Sequence, residues 1–528
     1  MSFTSLYFLL FLAVVLFVYF CVPKKHRWIV LLIASYIFYI LNDIRSIVFI
    51  VLTTVVIFFT ARQMSVWDKK QKDFFAEQDA QWLAENKKIY NKKLKRKKKT
   101  ILIFALLFNF GILFALKYFS TFADMFAELI RVEPLNLNIL LPLGISFYMF
   151  QSVGYLLDVY WGKIQSQNNI FKFGLFVSFF PQLLQGPISR YDQLAPQLID
   201  GSDFNYNRLK SGALLMLWGY FKKLVIADRA GILYSAIMDN FSKFQGLEIF
   251  VGMLCFVLKI YCDFSGGIDI ARGTAECFGI ELTPNFNRPF FALSVTEYWK
   301  RWHITLGAWM KDYVLYPLTL SKGYNKFIRG CKKFFKNGVA GKVIPTSIAM
   351  FFIFLLVGIW HGPNLTYILF GVYYGVIVLI ETVISETKKV RKIEPKEMSK
   401  HTKRFIIFLK FSLTFMLVYF GKYLSAAPDV TTAFEWFKAT FVNNNISGLF
   451  SNFGDRAGFN VANMVILVLS LVVLIVVECL QEKGLKVRQK ILEKHTVVQW
   501  VIFWLLIFAI IVLTAYEGTG GGFAYENY

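Results

Sequence analysis

Cysteine, histidine and acidic residues are all scarce in this chain of 528 residues, and each shortage closes off a class of function. The six cysteines, Cys21, Cys255, Cys262, Cys277, Cys331 and Cys479, show no paired spacing. That excludes a disulfide framework or a CxxC metal knot and leaves buried structural thiols; no metal is expected. Acidic residues number 34 against 58 lysines and arginines, a formal charge of +24. The basic residues gather in the connectors between apolar runs, so the excess reports membrane topology. It does not report nucleic-acid binding, for which no stacking platform or recognised motif is present. The first apolar run, Phe3 to Cys21, has no basic stretch before it and is followed by Pro23-Lys24-Lys25-His26-Arg27. A retained first span with its N-terminus outside fits that flank better than a cleaved signal.

What the chain has in quantity is apolar surface. Hydrophobic residues make up 56% of it and mean hydropathy is +0.51, which calls for repeated bilayer crossings. The apolar runs are continuous rather than alternating, as spanning helices require. The expected class is an all-α polytopic membrane protein, a single domain over residues 1–528. Early spans are expected over Trp28–Leu41, Ile47–Thr60 and Ile101–Phe119, and the last over Phe405–Leu424, Val461–Val477 and Val498–Ala515. Between them the polar stretch Arg62–Thr100, closing on the lysine-rich tract Lys92–Lys99, is expected as a cytoplasmic loop.

Polar breaks interrupt several runs. Pro142 and Gly144 can end a helix before Ser146, Gln151 and Asp158, which should face protein or a cavity rather than lipid. Phe180–Tyr191, with two prolines, two glutamines and a glycine, reads either as a bent or re-entrant segment or as a helix terminus. Asp263–Arg272 reads as a tight, glycine-rich turn with Asp269 paired to Arg272. Two acidic residues are too few for a hard cation site.

Three of the five histidines, His26, His401 and His495, fall in charged connectors. The other two, His303 and His361, adjoin long apolar runs, where an imidazole must be neutral, paired or in contact with water. A neutral imidazole is a competent base near pH 7. His361 stands between Trp360 and Gly362-Pro363, with Asn364 next, so the backbone opens there and the ring can face a cavity. Its alternative is a packing histidine bonded to a carbonyl. His303 belongs to a set, Trp299, Trp302, His303, Leu306, Met310 and Tyr313, at helical spacing, which describes an interfacial helix that could equally be an anchor.

The segments Asn285–Phe290, Thr296–Leu306, Trp309-Met310-Lys311-Asp312-Tyr313 and Trp360-His361-Gly362 together resemble the membrane-bound O-acyltransferase family, in its bacterial alginate O-acetylation branch. Leu143–Tyr148, Phe179–Gln182 with Gly186–Ile188, and Tyr261–Gly266 add to the resemblance. It implies a core over residues 1–425, further helices over 426–516, and a ring of helices around a tunnel. His361 matches the family's catalytic histidine and His303 its second functional histidine, with Asn285, Trp302, Asp312, Trp360 and Asn364 as supporting or tunnel residues. The tail 517–528 ends Phe523-Ala524-Tyr525-Glu526-Asn527-Tyr528, similar to an ending seen with bacterial members of the family. The resemblance makes Tyr525 a candidate transient acyl acceptor.

The implied activity is acetyl transfer from cytoplasmic acetyl-CoA, or a carrier-protein thioester, for O-acetylation of an extracellular polysaccharide, through an external transferase or secretion complex. The expected location is the bacterial cytoplasmic membrane with both termini outside. The alternatives are D-alanyl transfer from a carrier protein to teichoic acid, a transporter or flippase, and an assembly platform for polymer secretion.

Overall fold

Long helices dominate the computed structural model, which describes residues 1–130, 132–133, 141–336, 338–392, 398–442 and 453–515. Among the described residues, seven helices are long and apolar enough to cross a membrane: Ile44–Ala76, Ala80–Lys117, Val339–His361, Leu365–Val390, Lys400–Ala426, Val461–Glu482 and Thr496–Thr514. Leu6–Cys21 is a shorter apolar helix. The described chain divides into two units, one of residues 1–213 and 271–283, the other of residues 214–270 and 284–515.

In the first unit the helix Leu6–Cys21 starts behind Ser5, whose hydroxyl accepts the Phe8 N–H at 3.2 Å. Arg27–Asn42 follows, then Ile47–Ala76 and Ala80–Lys117. The polar stretch Arg62–Thr100 is therefore not a loop. Apart from the turn at Glu77–Asp79 it continues both helices, and Lys98 pairs with Asp68 at 2.8 Å between them. Lysine, glutamate and glutamine are good helix formers, so a tract that reads as a loop by polarity extends a helix by propensity.

The polar breaks turn inward. Gly144, at φ 66°, precedes the helix Ile145–Tyr160. Gln151 donates to the Phe176 carbonyl at 2.6 Å, and Gln182 donates to the Gln151 side chain at 3.1 Å. Ile170–Ser178 stops at Phe179, and after the short helix Phe180–Leu183 the chain runs on through buried Gln185. Phe180 N–H donates to Ser35 Oγ at 3.1 Å, so this is a bend packed inside protein.

The second unit holds both histidines. The helix Leu247–Cys277 runs unbroken through Asp263–Arg272, where a tight turn was expected. The glycines there serve close approach instead. A Cβ on Gly266 would stand 2.8 Å from the Gly219 carbonyl oxygen, and one on Gly219 would stand 2.6 Å from that of Gly266. Opposite lie Lys222 and Lys223 in a π-helical stretch, Phe221–Ala227. Lys222 pairs with Asp269 at 2.7 Å, and Lys223 with Asp263 at 2.7 Å and Asp228 at 2.8 Å. Pairing of this kind is what buried charge requires, since an uncompensated ion in the interior costs several kcal/mol.

Candidate active site

His303 is presented by a broken segment, not by the continuous interfacial helix its spacing suggests. One helix, Val295–Arg301, ends at Trp302, and another, Ile304–Trp309, begins after His303. Between them Trp302 is extended and pairs with Phe286 in an antiparallel bridge, framed by Asn287 N–H to Arg301 O at 2.9 Å and Ile304 N–H to Asn285 O at 3.0 Å. His303 is left-handed, at φ 49° and ψ 52°. That conformation is uncommon for a residue with a Cβ and persists where surrounding bonds impose it.

The helix before it is fastened at both ends. At its start Ser294 accepts the Glu297 N–H and Glu297 reaches back to accept the Leu293 N–H, each at 3.0 Å, a reciprocal cap. The Glu381 carboxylate, from the helix Leu365–Val390, accepts the Val295 and Thr296 N–H groups at 2.8 and 2.7 Å. At its end Arg301 pairs with Glu297 at 2.7 Å and Glu482 at 3.0 Å, and Glu482 also holds Arg288 at 2.6 Å.

The imidazole of His303 is buried, edge-on to Phe264 with ring centres 4.9 Å apart. Burial holds its pKa well below the ordinary 6.5, so the ring is neutral at physiological pH. Its tautomer follows from a neighbour. Asn285 Oδ1 accepts the Thr305 backbone N–H and the Thr305 hydroxyl, both at 2.9 Å, so the Asn285 atom facing His303 Nδ1 at 3.3 Å is an acceptor. Nδ1 therefore carries the proton and Nε2 the basic lone pair.

His361 is the last residue of the helix Val339–His361, where Gly362, at φ 165°, turns the chain. Asn364 caps the following helix, its Oδ1 accepting the Thr366 N–H at 3.0 Å while its Nδ2 donates to the Pro428 carbonyl at 2.5 Å. The two helices meet backbone to backbone: a Cβ on Gly358 would lie 2.4 Å from the Tyr367 carbonyl oxygen, and one on Gly371 would lie 2.6 Å from that of Phe354. His361 is half-buried at the tip of this hairpin, between Tyr367, nearly parallel at 5.9 Å, and Phe370 at 5.8 Å.

One indole joins the two histidines. Trp360 lies 4.8 Å from the His361 ring and 6.2 Å from the His303 ring. Trp302 stacks on Tyr298 at 5.6 Å and meets Phe286 edge-on at 5.0 Å. His303, His361, Asn285, Trp302 and Trp360 thus form one cluster. Asn364 stands at the hairpin turn as a cap, and Asp312 is half-buried in the π-helical turn Met310–Leu315. Tyr525 lies outside the described residues.

The membrane-bound O-acyltransferase (MBOAT) family profile matches residues 33–330, more than half of the chain. The probable alginate O-acetylase AlgI of Pseudomonas aeruginosa is 30% identical over 449 residues, covering 84% of this chain and 75% of its own. The chain belongs to the membrane-bound O-acyltransferase family. As a family member it is an acyltransferase of the membrane. The peptidoglycan O-acetyltransferase of Helicobacter pylori is 30% identical over 331 residues, 57% of this chain and 58% of its own. The teichoic acid D-alanyltransferase of Bacillus subtilis is 27% identical over 293 residues, 54% of this chain and 69% of its own. The profile match takes in Asn285, Trp302 and His303 and ends before His361.

Two residues of this acyltransferase's cluster escape a reading of the sequence. Lys422, in the helix Lys400–Ala426, is buried with its ammonium 4.7 Å from the centre of the Trp302 ring and 5.5 Å from that of Phe370. Glu381, which holds the start of the Val295–Arg301 helix, is the other. A sequence signal exists for both: each is a charge set within an otherwise apolar span.

Proposed function

We propose that this acyltransferase moves an acetyl group from acetyl-CoA at the cytoplasmic face to a hydroxyl of a cell-envelope polysaccharide, acting with an external transferase. The observation that carries the reading is the pairing of a half-buried histidine, His361, with a buried neutral one, His303, both against Trp360. The names of the Pseudomonas and Helicobacter relatives support acetyl as the group transferred. The gathering of lysine and arginine between the apolar runs supports donor entry from the cytoplasm, with both termini outside, in the cytoplasmic membrane of a bacterium.

In this mechanism the His361 imidazole takes the proton of the acceptor hydroxyl as its oxygen attacks the thioester carbonyl carbon. Collapse of the tetrahedral adduct breaks the C–S bond, and the departing thiolate takes that proton from the imidazolium. His303 orients the acceptor through its Nε2 lone pair, held in place by Asn285. Tyr525, in the tail 517–528, is the proposed transient acceptor that relays the acetyl group outward.

The test is to incubate the purified protein in vesicles with radiolabelled acetyl-CoA and follow label on protein and acceptor against release of free thiol. Transfer is expected, falling about a thousandfold in His361→Ala. Label on the protein is expected to disappear in Tyr525→Phe. Acyl transfer from a D-alanyl carrier alone would overturn the acetyl-CoA reading, and full activity in His361→Ala would overturn the role of the histidine.

A further inference from the structure

Lys422 has no carboxylate or other hydrogen-bond acceptor on its Nζ among the described residues, and it is only 4% exposed. The buried lysines Lys222 and Lys223 are treated differently, each tied to aspartate at 2.7 to 2.8 Å. What faces Lys422 is the π surface of Trp302 and Phe370. Two ring faces offset only part of the cost of burying an ammonium, and no carboxylate offsets the rest. A fixed carboxylate would cancel the charge. Rings hold the stem and leave the charge available to an anion that arrives later.

Its position says which anion. Phe370 lies 5.5 Å from Lys422 Nζ and 5.8 Å from the His361 ring, while Trp302 is the neighbour of His303 in the chain. Gly421 allows this approach, because a Cβ there would stand 2.5 Å from the Tyr374 hydroxyl. Asn364, the amide nearest to His361 in the chain, has both ends of its side chain engaged in the turn. Attack of a hydroxyl on a thioester places a full negative charge on the carbonyl oxygen, and stabilising that charge in a dry site is among the largest contributions an enzyme can make.

We infer that Lys422 is the oxyanion-stabilising residue of this acyltransferase: its ammonium, poised over Trp302 and Phe370, takes the carbonyl oxygen of the acyl thioester as it becomes an alkoxide. In the step itself the hydroxyl oxygen bonds to the carbonyl carbon and the C=O π pair moves onto oxygen beside Lys422. On collapse the pair returns, the C–S bond breaks, and the thiolate takes the proton held by His361. Lys422 acts here as its ammonium form and neither gives nor takes a proton in the step. The inference rests on the acyl-transfer reading above, with acetyl-CoA as the probe.

The experiment measures kcat and KM for acetyl-CoA with Lys422→Met, which keeps the apolar stem, and Lys422→Arg, which keeps the charge. In parallel it measures binding of a trifluoromethyl ketone thioether analogue of acetyl-CoA, which adds a hydroxyl to give a tetrahedral oxyanion, against binding of coenzyme A. Lys422→Met is expected to lower kcat about a hundredfold with KM changed less than threefold, and to weaken the analogue in proportion while coenzyme A binds as before. Lys422→Arg is expected to recover at least a tenth of kcat. Undiminished kcat in Lys422→Met, or a rise in KM alone, would overturn the inference, as would analogue and coenzyme A weakening together. Should Lys422→Met not fold, Lys422→Gln takes its place against Lys422→Arg, and equal losses in both would overturn it. A wild-type protein that binds the analogue tightly but transfers no acetyl group speaks against acetyl-CoA as donor and leaves the binding comparison to decide on Lys422.

Discussion

A histidine that folds neutral and buried makes the native state sensitive to acid. The folded pKa of His303 lies below its unfolded value of about 6.5, so above that pH both states are neutral and the ring has no effect on stability. Below it the unfolded chain takes a proton that the native ring refuses, at a cost of about 1.4 kcal/mol per pH unit. Thermal unfolding in detergent at pH 7 and pH 5 should therefore show a smaller acid destabilisation in His303→Gln than in wild type, by about 2 kcal/mol. Asn285 acts one step further out. Asn285→Ala removes the acceptor that fixes the His303 tautomer, and kcat should fall about 10- to 100-fold with KM for the acyl donor little changed, as steady-state kinetics would show.

Among the elements, the hairpin of Val339–His361 and Leu365–Val390 sets where His361 can be. Gly358 and Gly371 each face backbone at distances that exclude any side chain, so Gly358→Leu should separate the helices. Loss of folded protein by size-exclusion chromatography, or a fall of several degrees in Tm with lost activity, is the expected outcome. Glu381→Gln keeps one acceptor oxygen but removes the charge at the start of the Val295–Arg301 helix; about 1 kcal/mol of stability should go with it, read as a lower Tm. These elements also show what was legible beforehand. The apolar runs and the two histidines stood out because hydropathy and intramembrane polarity are local signals. The break at Trp302 and His303 was hidden, since local spacing favours one helix and the bonds that interrupt it come from Asn285 and Asn287, distant in sequence. Asp263–Arg272 misled in the opposite sense: its glycines suggest a turn, but they let one helix pass close to Gly219. Lys422 and Glu381 were overlooked because a lone charge in a span does not reveal its partner until the helices are packed.

For the whole molecule, length alone carries part of the description outside the bilayer. The 38-residue helix Ala80–Lys117 is about 57 Å long at about 1.5 Å per residue, nearly twice the hydrocarbon thickness of about 30 Å. Its lysine-rich first half should project into the cytoplasm as rod rather than loop. Single cysteines placed through Lys92–Lys99 in a cysteine-free background should react with a charged maleimide from the cytoplasmic side, with rates that repeat every three to four positions. The helix Val461–Glu482 lies past the family-matched residues, yet its last turns reach the chemistry. Glu478 accepts a hydrogen bond from the Tyr261 hydroxyl, and Glu482 clasps Arg288 and Arg301, the latter standing two residues before His303. A shortened protein ending before Val461 would leave those two arginines with no counter-ion from this helix, so Val461–Glu482 acts as a buttress whose removal should cost catalysis even where insertion into the membrane survives.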